Sequence, residues 1–148
     1  MFLRTFSLAL LLLPVSGIAQ ERGHLPPRLD SADMPFYPPI AMAAHITGWL
    51  RIRVNVEGGK VVRTELIDTE TRSRSTISKT GTQFLTTPTV NYIKSWQFDS
   101  DVNDSFVVKF TYQIAGTATD RPTTPKIEIL PTLDVNITAR PVKPTVNY

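Results

Sequence analysis

The sequence contains no cysteine and only two histidines among its 148 residues. The lack of cysteine excludes disulfide bonds, thiolate metal ligands and a lipid anchor on cysteine, so the folded part must be held together by its core alone. His24 and His45 stand far apart, in a proline-containing leader and at a predicted helix end, whereas a metal site needs several convergent ligands. We therefore predict no metal and no cofactor.

Residues with the spacing of a catalytic site are also missing. No serine or threonine has a neighbouring general base, and there is no glycine-rich phosphate loop. The run Asp99–Asp104 is similar to a calcium loop, but it lacks glycine at position six, and Phe110 replaces the glutamate of position twelve. We interpret it as a polar turn, and we predict no catalytic residue and no enzyme.

The chain has little excess of either charge. Its 16 basic and 13 acidic residues give a formal net charge of +3, and the basic residues are scattered. Nucleic-acid binding needs a concentrated basic surface, so no nucleic-acid partner is predicted.

The one long apolar run, Leu8–Leu13, lies at the N-terminus behind Arg4. Gly17 and Ala19 put small residues at positions −3 and −1 of a cleavage site, which predicts a signal peptide over residues 1–19. The alternative is an uncleaved inner-membrane anchor, although the run is short for a bilayer span of roughly 20 residues. Residues 20–36 have no period and are predicted to form an extended leader.

A β-hairpin is predicted after a short helix that starts at Pro38-Pro39. From Gly48 the chain alternates, with Leu50, Ile52, Val54 and Val56 on an apolar face and Trp49, Arg51, Arg53 and Asn55 on a wet face. A two-residue loop would set Val54 opposite Arg63. A three-residue loop, residues 58–60, sets Val54 opposite Thr64 and keeps one face apolar, so we favour it. Trp49 is either exposed or covered by the C-terminal tail.

A polar loop is predicted over residues 69–83, followed by a second helix. Thr86 or Thr87 can cap that helix, with Pro88 in its first turn and Trp96 on its apolar face. We expect Trp96 to pack in the core. Strand three then alternates from Phe106 to Ile114.

The last segment, residues 115–148, is rich in proline and threonine. Its residues Ile127, Ile129, Val135 and Ile137 keep a two-residue apolar period, which predicts a strand within residues 126–139. Because proline cannot donate a ladder hydrogen bond, Pro131 confines such a strand to the edge of a sheet.

These features together resemble the C-terminal domain of TonB and TonB-like proteins over residues 37–114. Tyr37-Pro38-Pro39-Ile40-Ala41 matches the family's Tyr-Pro-x-x-Ala, and Gly59-Lys60-Val61 is similar to its Gly-x-Val turn. Further along, Leu85, Val90, Ile93, Trp96 and Phe98 fall where the family has its Leu-…-Trp-x-Phe segment. Departures are Thr86 at the usual acidic cap, Pro88-Thr89 in place of paired alanines, and the long loop before the second helix.

The resemblance implies an α+β fold, a small two-layer domain in which an antiparallel three-stranded sheet carries two helices on one face. It also implies a periplasmic protein that binds an extended peptide, such as a segment of an outer-membrane transporter, by adding it as a strand to the edge formed by the last strand. The partner-binding residues expected on this basis are Tyr37, Pro38, Phe106, Val107, Val108, Lys109, Phe110, Thr111, Tyr112 and Gln113.

Two function classes remain open. The first is a TonB-like binding module that recognises an extended peptide or protein partner. The second is a structural or self-associating periplasmic module, for example a homodimer, whose edge is covered by its own tail and which has no transport role. Full energy transduction is disfavoured, because residues 20–36 could extend at most roughly 60 Å.

Overall fold

A computed structural model describes residues 25–73 and 78–143, with side chains from residue 81 onwards in the second range. The predicted signal peptide, residues 1–19, lies outside these residues. The elements, in chain order, are α1 (Pro39–Ala43), β1 (Thr47–Glu57), β2 (Lys60–Arg72), α2 (Ser78–Lys94), β3 (Asp104–Ile114), β4 (Lys126–Ile129) and β5 (Val135–Ala139). The α+β class is confirmed.

The sheet has five strands in the order β2-β1-β3-β5-β4. The three expected strands pair antiparallel, but the sheet is larger than the three strands expected from the resemblance. The two strands of the tail make it a mixed sheet, because β3 and β5 run parallel while β4 and β5 are antiparallel. The extra strands come from the tail, whose apolar period lets it join a sheet that already has an apolar face.

The first hairpin, β1–β2, turns through Gly58 and Gly59, both with positive φ (56° and 75°). This two-residue turn is tighter than the loop we favoured from the sequence. A bulge that skips Val62 then restores the expected partner of Val54, which is Thr64. The apolar face is kept by a bulge rather than by a longer loop, and a second bulge at Ile67 adds to the irregularity of this outer strand.

Helix α2 begins eight residues before the predicted cap at Thr86, and the loop predicted over residues 69–83 is wrong at both ends, where residues 69–72 belong to β2 and 78–83 to α2. Strand β2 continues through Arg72, and Pro88 lies inside the helix rather than in its first turn. Because an interior proline removes one helical hydrogen bond, the sequence favoured a helix that starts at Pro88 over one that continues through it. Hydroxyls of Thr86 and Thr89 bond to the carbonyls of Thr82 and Leu85, one turn earlier.

The predicted tail strand is a second hairpin, β4–β5, with Pro131 in its turn. Leu133 takes a positive φ of 58° there, and its N–H donates to the carbonyl of Leu130. Of the two tail strands, β4 is an edge strand, as expected of the segment, whereas β5 lies inside the sheet between β3 and β4. Pro131 thus ends the first tail strand instead of lying within one long edge strand.

One face of the sheet carries the core. Leu50, Ile52 and Phe110 are fully buried there. Trp96 lies two residues beyond the end of α2, not on the helix face predicted for it. It is 1% exposed and stacks on the Phe110 ring, with centroids 6.2 Å apart, which confirms its predicted core position. No strand or helix of the described residues covers the opposite face, which carries Trp49 and Lys109.

Candidate peptide-binding edge

Tyr37 and Pro38, expected from the resemblance to bind a partner, are both buried. The Tyr37 hydroxyl donates to the carbonyl of Ile46, and its ring meets the Tyr112 ring edge-on at 5.3 Å. Burial, and to a lesser degree Tyr112, raises the pKa of Tyr37 above its usual range. These two residues fix α1 and the start of β1 against the sheet, and they offer no surface to a partner in this arrangement.

The candidate residues of β3 divide between the two faces of the sheet. Phe106, Val108, Phe110 and Tyr112 are buried in the core, while Val107, Lys109, Thr111 and Gln113 lie on the uncovered face. A partner that adds as a strand contacts backbone rather than either set of side chains, so the relevant question is which backbone groups of β3 are free.

Tyr112 closes the end of the core beneath β3. The Thr89 hydroxyl donates to the Leu85 carbonyl, so its oxygen is left to accept from the Tyr112 hydroxyl, 2.8 Å away. Burial raises the pKa of Tyr112 to about 12, although the bond to Thr89 acts in the opposite direction. The hydrogen bond between the uncharged hydroxyls of Thr89 and Tyr112 thus links α2 to β3, the central strand of the sheet.

The edge of β3 that was expected to be open is occupied over half its length. Residues Phe110–Ile114 pair in parallel with Val135–Ala139, and the Ala115 N–H donates to the Ala139 carbonyl at 2.9 Å. An open edge along the whole of Phe106–Gln113 is therefore wrong for the part from Phe110 onwards. The tail of the same chain holds the position that a strand-adding peptide would take.

The remaining half of that edge is short and partly capped. The Lys109 N–H donates to the carboxylate of Asp134 at 2.7 Å, and the Ser105 N–H to the carboxylate of Asp104. The backbone of Val107 lies between them and pairs with no strand on that side within the described residues. The unpaired stretch of β3 around Val107 is too short to hold a stable partner strand by itself.

Every second side chain of β5 packs in the core and holds this strand beside β3. Val135, Ile137 and Ala139 are completely buried, whereas Asn136 and Thr138 between them lie on the uncovered face. Parallel backbone pairing combined with alternate buried side chains is the arrangement by which sheet edges recognise extended peptides. In the structure, β5 of the same chain fills this position beside β3.

The uncovered face near this edge carries Trp49. Its ring lies under the ammonium of Lys109, 5.1 Å from the ring centroid, a cation–π contact between neighbouring strands. On the other side, the pKa of Glu70 is lowered by the hydrogen bond and charge of Arg72 and by a hydrogen bond from Trp49. Trp49 is partly exposed, and within the described residues the group over its ring is Lys109 of β3.

No protein-family model and no curated protein matches this chain, so the TonB-like resemblance stays an expectation from the sequence. Within the described residues, no helix is long and apolar enough to cross a membrane. Over the same residues, no three histidine, aspartate or glutamate side chains come together as a metal site.

The tail does cover the sheet edge, as the second function class expected, but the sequence left open that β5 would run parallel to β3 and lie inside the sheet. The apolar period of residues 127–137 indicated a strand, but the position of that strand in the sheet depends on the turn at Leu133. A leucine with positive φ leaves no signature in the sequence, because this conformation is favoured by glycine and asparagine.

Proposed function

We propose that this chain is a non-catalytic, periplasmic protein-binding module that recognises an extended peptide by strand addition beside β3. The observation that carries the proposal is the parallel pairing of Val135–Ala139 with Phe110–Ile114, which presents a resident strand in that place. The sequence resemblance to TonB-like domains supports the same location on β3 and suggests an outer-membrane transporter as the source of the peptide.

A peptide that binds beside β3 must compete with the chain's own tail strand, β5, for this position. An incoming peptide with the same alternation would replace the contacts of Val135 and Ile137, so the exchange itself is nearly neutral. The tail has the advantage of its tether, which gives it an effective concentration of about 1 mM. A partner must therefore be held close by, bind more strongly than the tail, or meet a tail that has been weakened.

The experiment uses a variant in which the tail packs less tightly beside β3. The probe is a synthetic peptide with the sequence of the unmodified tail. Ile137→Ala should weaken the tail by about 3 kcal/mol, or about a hundredfold. A labelled synthetic peptide with the unmodified sequence of residues 126–143 should then bind the variant with a Kd of about 10 µM. Fluorescence anisotropy gives the affinity, and the same peptide carrying the Ile137→Ala change is the matched control.

A reversible lock shows where the peptide binds. Gln113 and Thr138 are directly paired on the uncovered face, so cysteines at both positions lie within the range of a disulfide in a chain that has no other cysteine. Added to Ile137→Ala, the oxidised pair should abolish peptide binding, and reduction should restore it. Binding that is equal in both redox states would place the peptide elsewhere and contradict the proposal.

The second candidate is a structural module whose tail never leaves. Complete burial of Val135, Ile137 and Ala139 favours it, because these side chains belong to the core as much as those of β1 do. No binding of the peptide to the reduced variant, even at about 1 mM, would support this function.

The periplasmic location is part of the same proposal, and the inner-membrane anchored form is its alternative. N-terminal sequencing of the protein from the producing cell tests it: Gln20 as the first residue supports export and cleavage, whereas Met1 in a membrane fraction supports the anchor.

A further inference from the structure

Strand β4 forms the outer edge of the tail hairpin. It spans Lys126–Ile129 between Pro125 and Pro131, and it pairs with β5 on one side only within the described residues. The side chains of Ile129, the last residue of the strand, and of the following Leu130 are 48% and 43% exposed. Exposed apolar residues on a sheet edge are a surface suited to pairing with another chain.

The backbone groups that face outwards follow from the hydrogen-bond alternation of an antiparallel pair. The Leu130 N–H donates to the Asp134 carbonyl on the β5 side. Residues two and four positions earlier, Glu128 and Lys126, therefore also face β5, and the N–H and C=O groups of Ile127 and Ile129 point away from it. No hydrogen bond of these four groups to the described residues is found.

We propose that β4 pairs antiparallel with β4 of a second copy of this chain, around a two-fold axis at Ile127. In this register the two Ile127 residues exchange both of their backbone hydrogen bonds. The Ile129 N–H of each copy donates to the Pro125 carbonyl of the other, which makes four hydrogen bonds and joins the two sheets into one.

Charge complementarity selects this register. Lys126 of one copy lies directly opposite Glu128 of the other, on the uncovered face where the two already form an ion pair of 2.7 Å within one chain. Ile127 meets its own equivalent on the core side. The register centred on Glu128 would also make four hydrogen bonds, but it sets the two Glu128 carboxylates opposite each other, where like charges repel.

The other sheet edge is a poorer surface for a second copy. Strand β2 carries bulges at Val62 and Ile67, which break the regular spacing of outward-facing backbone groups. Bulges of this kind are a common protection of edge strands. Strand β4 has no register shift, and only its flanking prolines limit its length.

The test uses two variants, each of which reverses one charge of the Lys126–Glu128 pair. Lys126→Glu places Glu opposite Glu across the axis, and Glu128→Lys places Lys opposite Lys. Each single variant should weaken the homodimer about tenfold, because two attractive cross-strand pairs become repulsive. An equimolar mixture of the two variants should form a heterodimer about as stable as the wild-type dimer, since every Glu then faces a Lys of the other copy.

Analytical ultracentrifugation of the purified proteins up to about 1 mM measures these affinities, since an interface this small binds weakly. Circular dichroism checks that the variants fold; the exposed Lys126–Glu128 pair contributes little to the fold. A monomeric wild type over the whole range, single variants that dimerise like the wild type, or a mixture that does not associate would each overturn the proposal.

Backbone pairing is tested separately. Ile127→Pro removes the outward N–H without removing a hydrogen bond of the hairpin, and it should abolish the dimer; Ile127→Val keeps the N–H and should dimerise like the wild type. A dimer that survives Ile127→Pro with unchanged affinity would mean that β4 is not the interface.

Discussion

The two hairpins meet β3 from opposite sides and are held there by different means. The first pairs β1 with β3 from Gly48 to Val56 in antiparallel fashion, and its outer strand β2 is largely exposed. The second pairs only Val135–Ala139 with β3, in parallel, but every alternate residue of this strand is fully buried. The first hairpin is long and has an exposed outer strand, while the second is short and buries alternate side chains of its inner strand in the core.

This difference shows how a short strand can be as firmly placed as a long one. The β1–β2 hairpin has a glycine turn and short-range contacts, so it can form before the rest of the sheet. The β4–β5 hairpin needs the core face to exist already, because burial of Val135 and Ile137 is its main source of stability. Its two strands also differ: β5 is a core strand, and β4 is an exposed edge.

The largest expected effect tests the insertion of the second hairpin. Ile137→Ala should lower the free energy of unfolding by about 3–4 kcal/mol, because it leaves a cavity in the core. The control is Ile129→Ala in the same hairpin, where the side chain is 48% exposed and the loss should stay below about 1 kcal/mol. Denaturant melts measure both, and equal losses would remove the distinction between β5 and β4.

A somewhat smaller effect tests the turn of the first hairpin. An alanine Cβ at Gly59 would overlap the carbonyl oxygens of Phe98 and Asp99, whereas at Gly58 the nearest atom is 4.0 Å away. Both glycines have positive φ, so both changes cost about 1 kcal/mol of backbone strain. Gly59→Ala should cost about 2 kcal/mol more than Gly58→Ala in denaturant melts. Equal losses would show that the approach of the turn to Phe98 is easily relaxed.

The smallest effect concerns Tyr112, where β1, β3 and β5 meet. Its pKa of about 12 lies above the ordinary tyrosine value of 10, so the folded state holds this proton more tightly than the unfolded state. The resulting stability is complete below pH 10 and is lost as the pH rises towards 12. Between pH 9 and 11, Tyr112→Phe should lose about 1 kcal/mol less stability than the wild type. An identical decline would mean that Tyr112 ionises in the folded protein without cost.

Part of the architecture followed from the sequence because it depends on local rules. The alternation of Leu50–Val56 placed the buried face of β1, and proline placed the start of α1. The size of the Trp96 ring favoured a core position, which it takes although it lies beyond the end of α2. Each of these signals is read within a few residues, and its physical cause, such as the two-residue period of a strand, acts over the same distance.

The tertiary structure decided what local patterns leave open. Helix α2 tolerates Pro88 because packing against the sheet offsets the lost hydrogen bond, so the proline did not mark its start. The candidate site depended on a longer-range choice still: the tail residues 126–139 carried a strand period, but the parallel place of β5 beside Phe110–Ile114 comes from the turn at Leu133 and from the shape of a core built by other strands. Sequence alone determined that the tail can be a strand; only the assembled core determined that it occupies the edge at which a partner was expected.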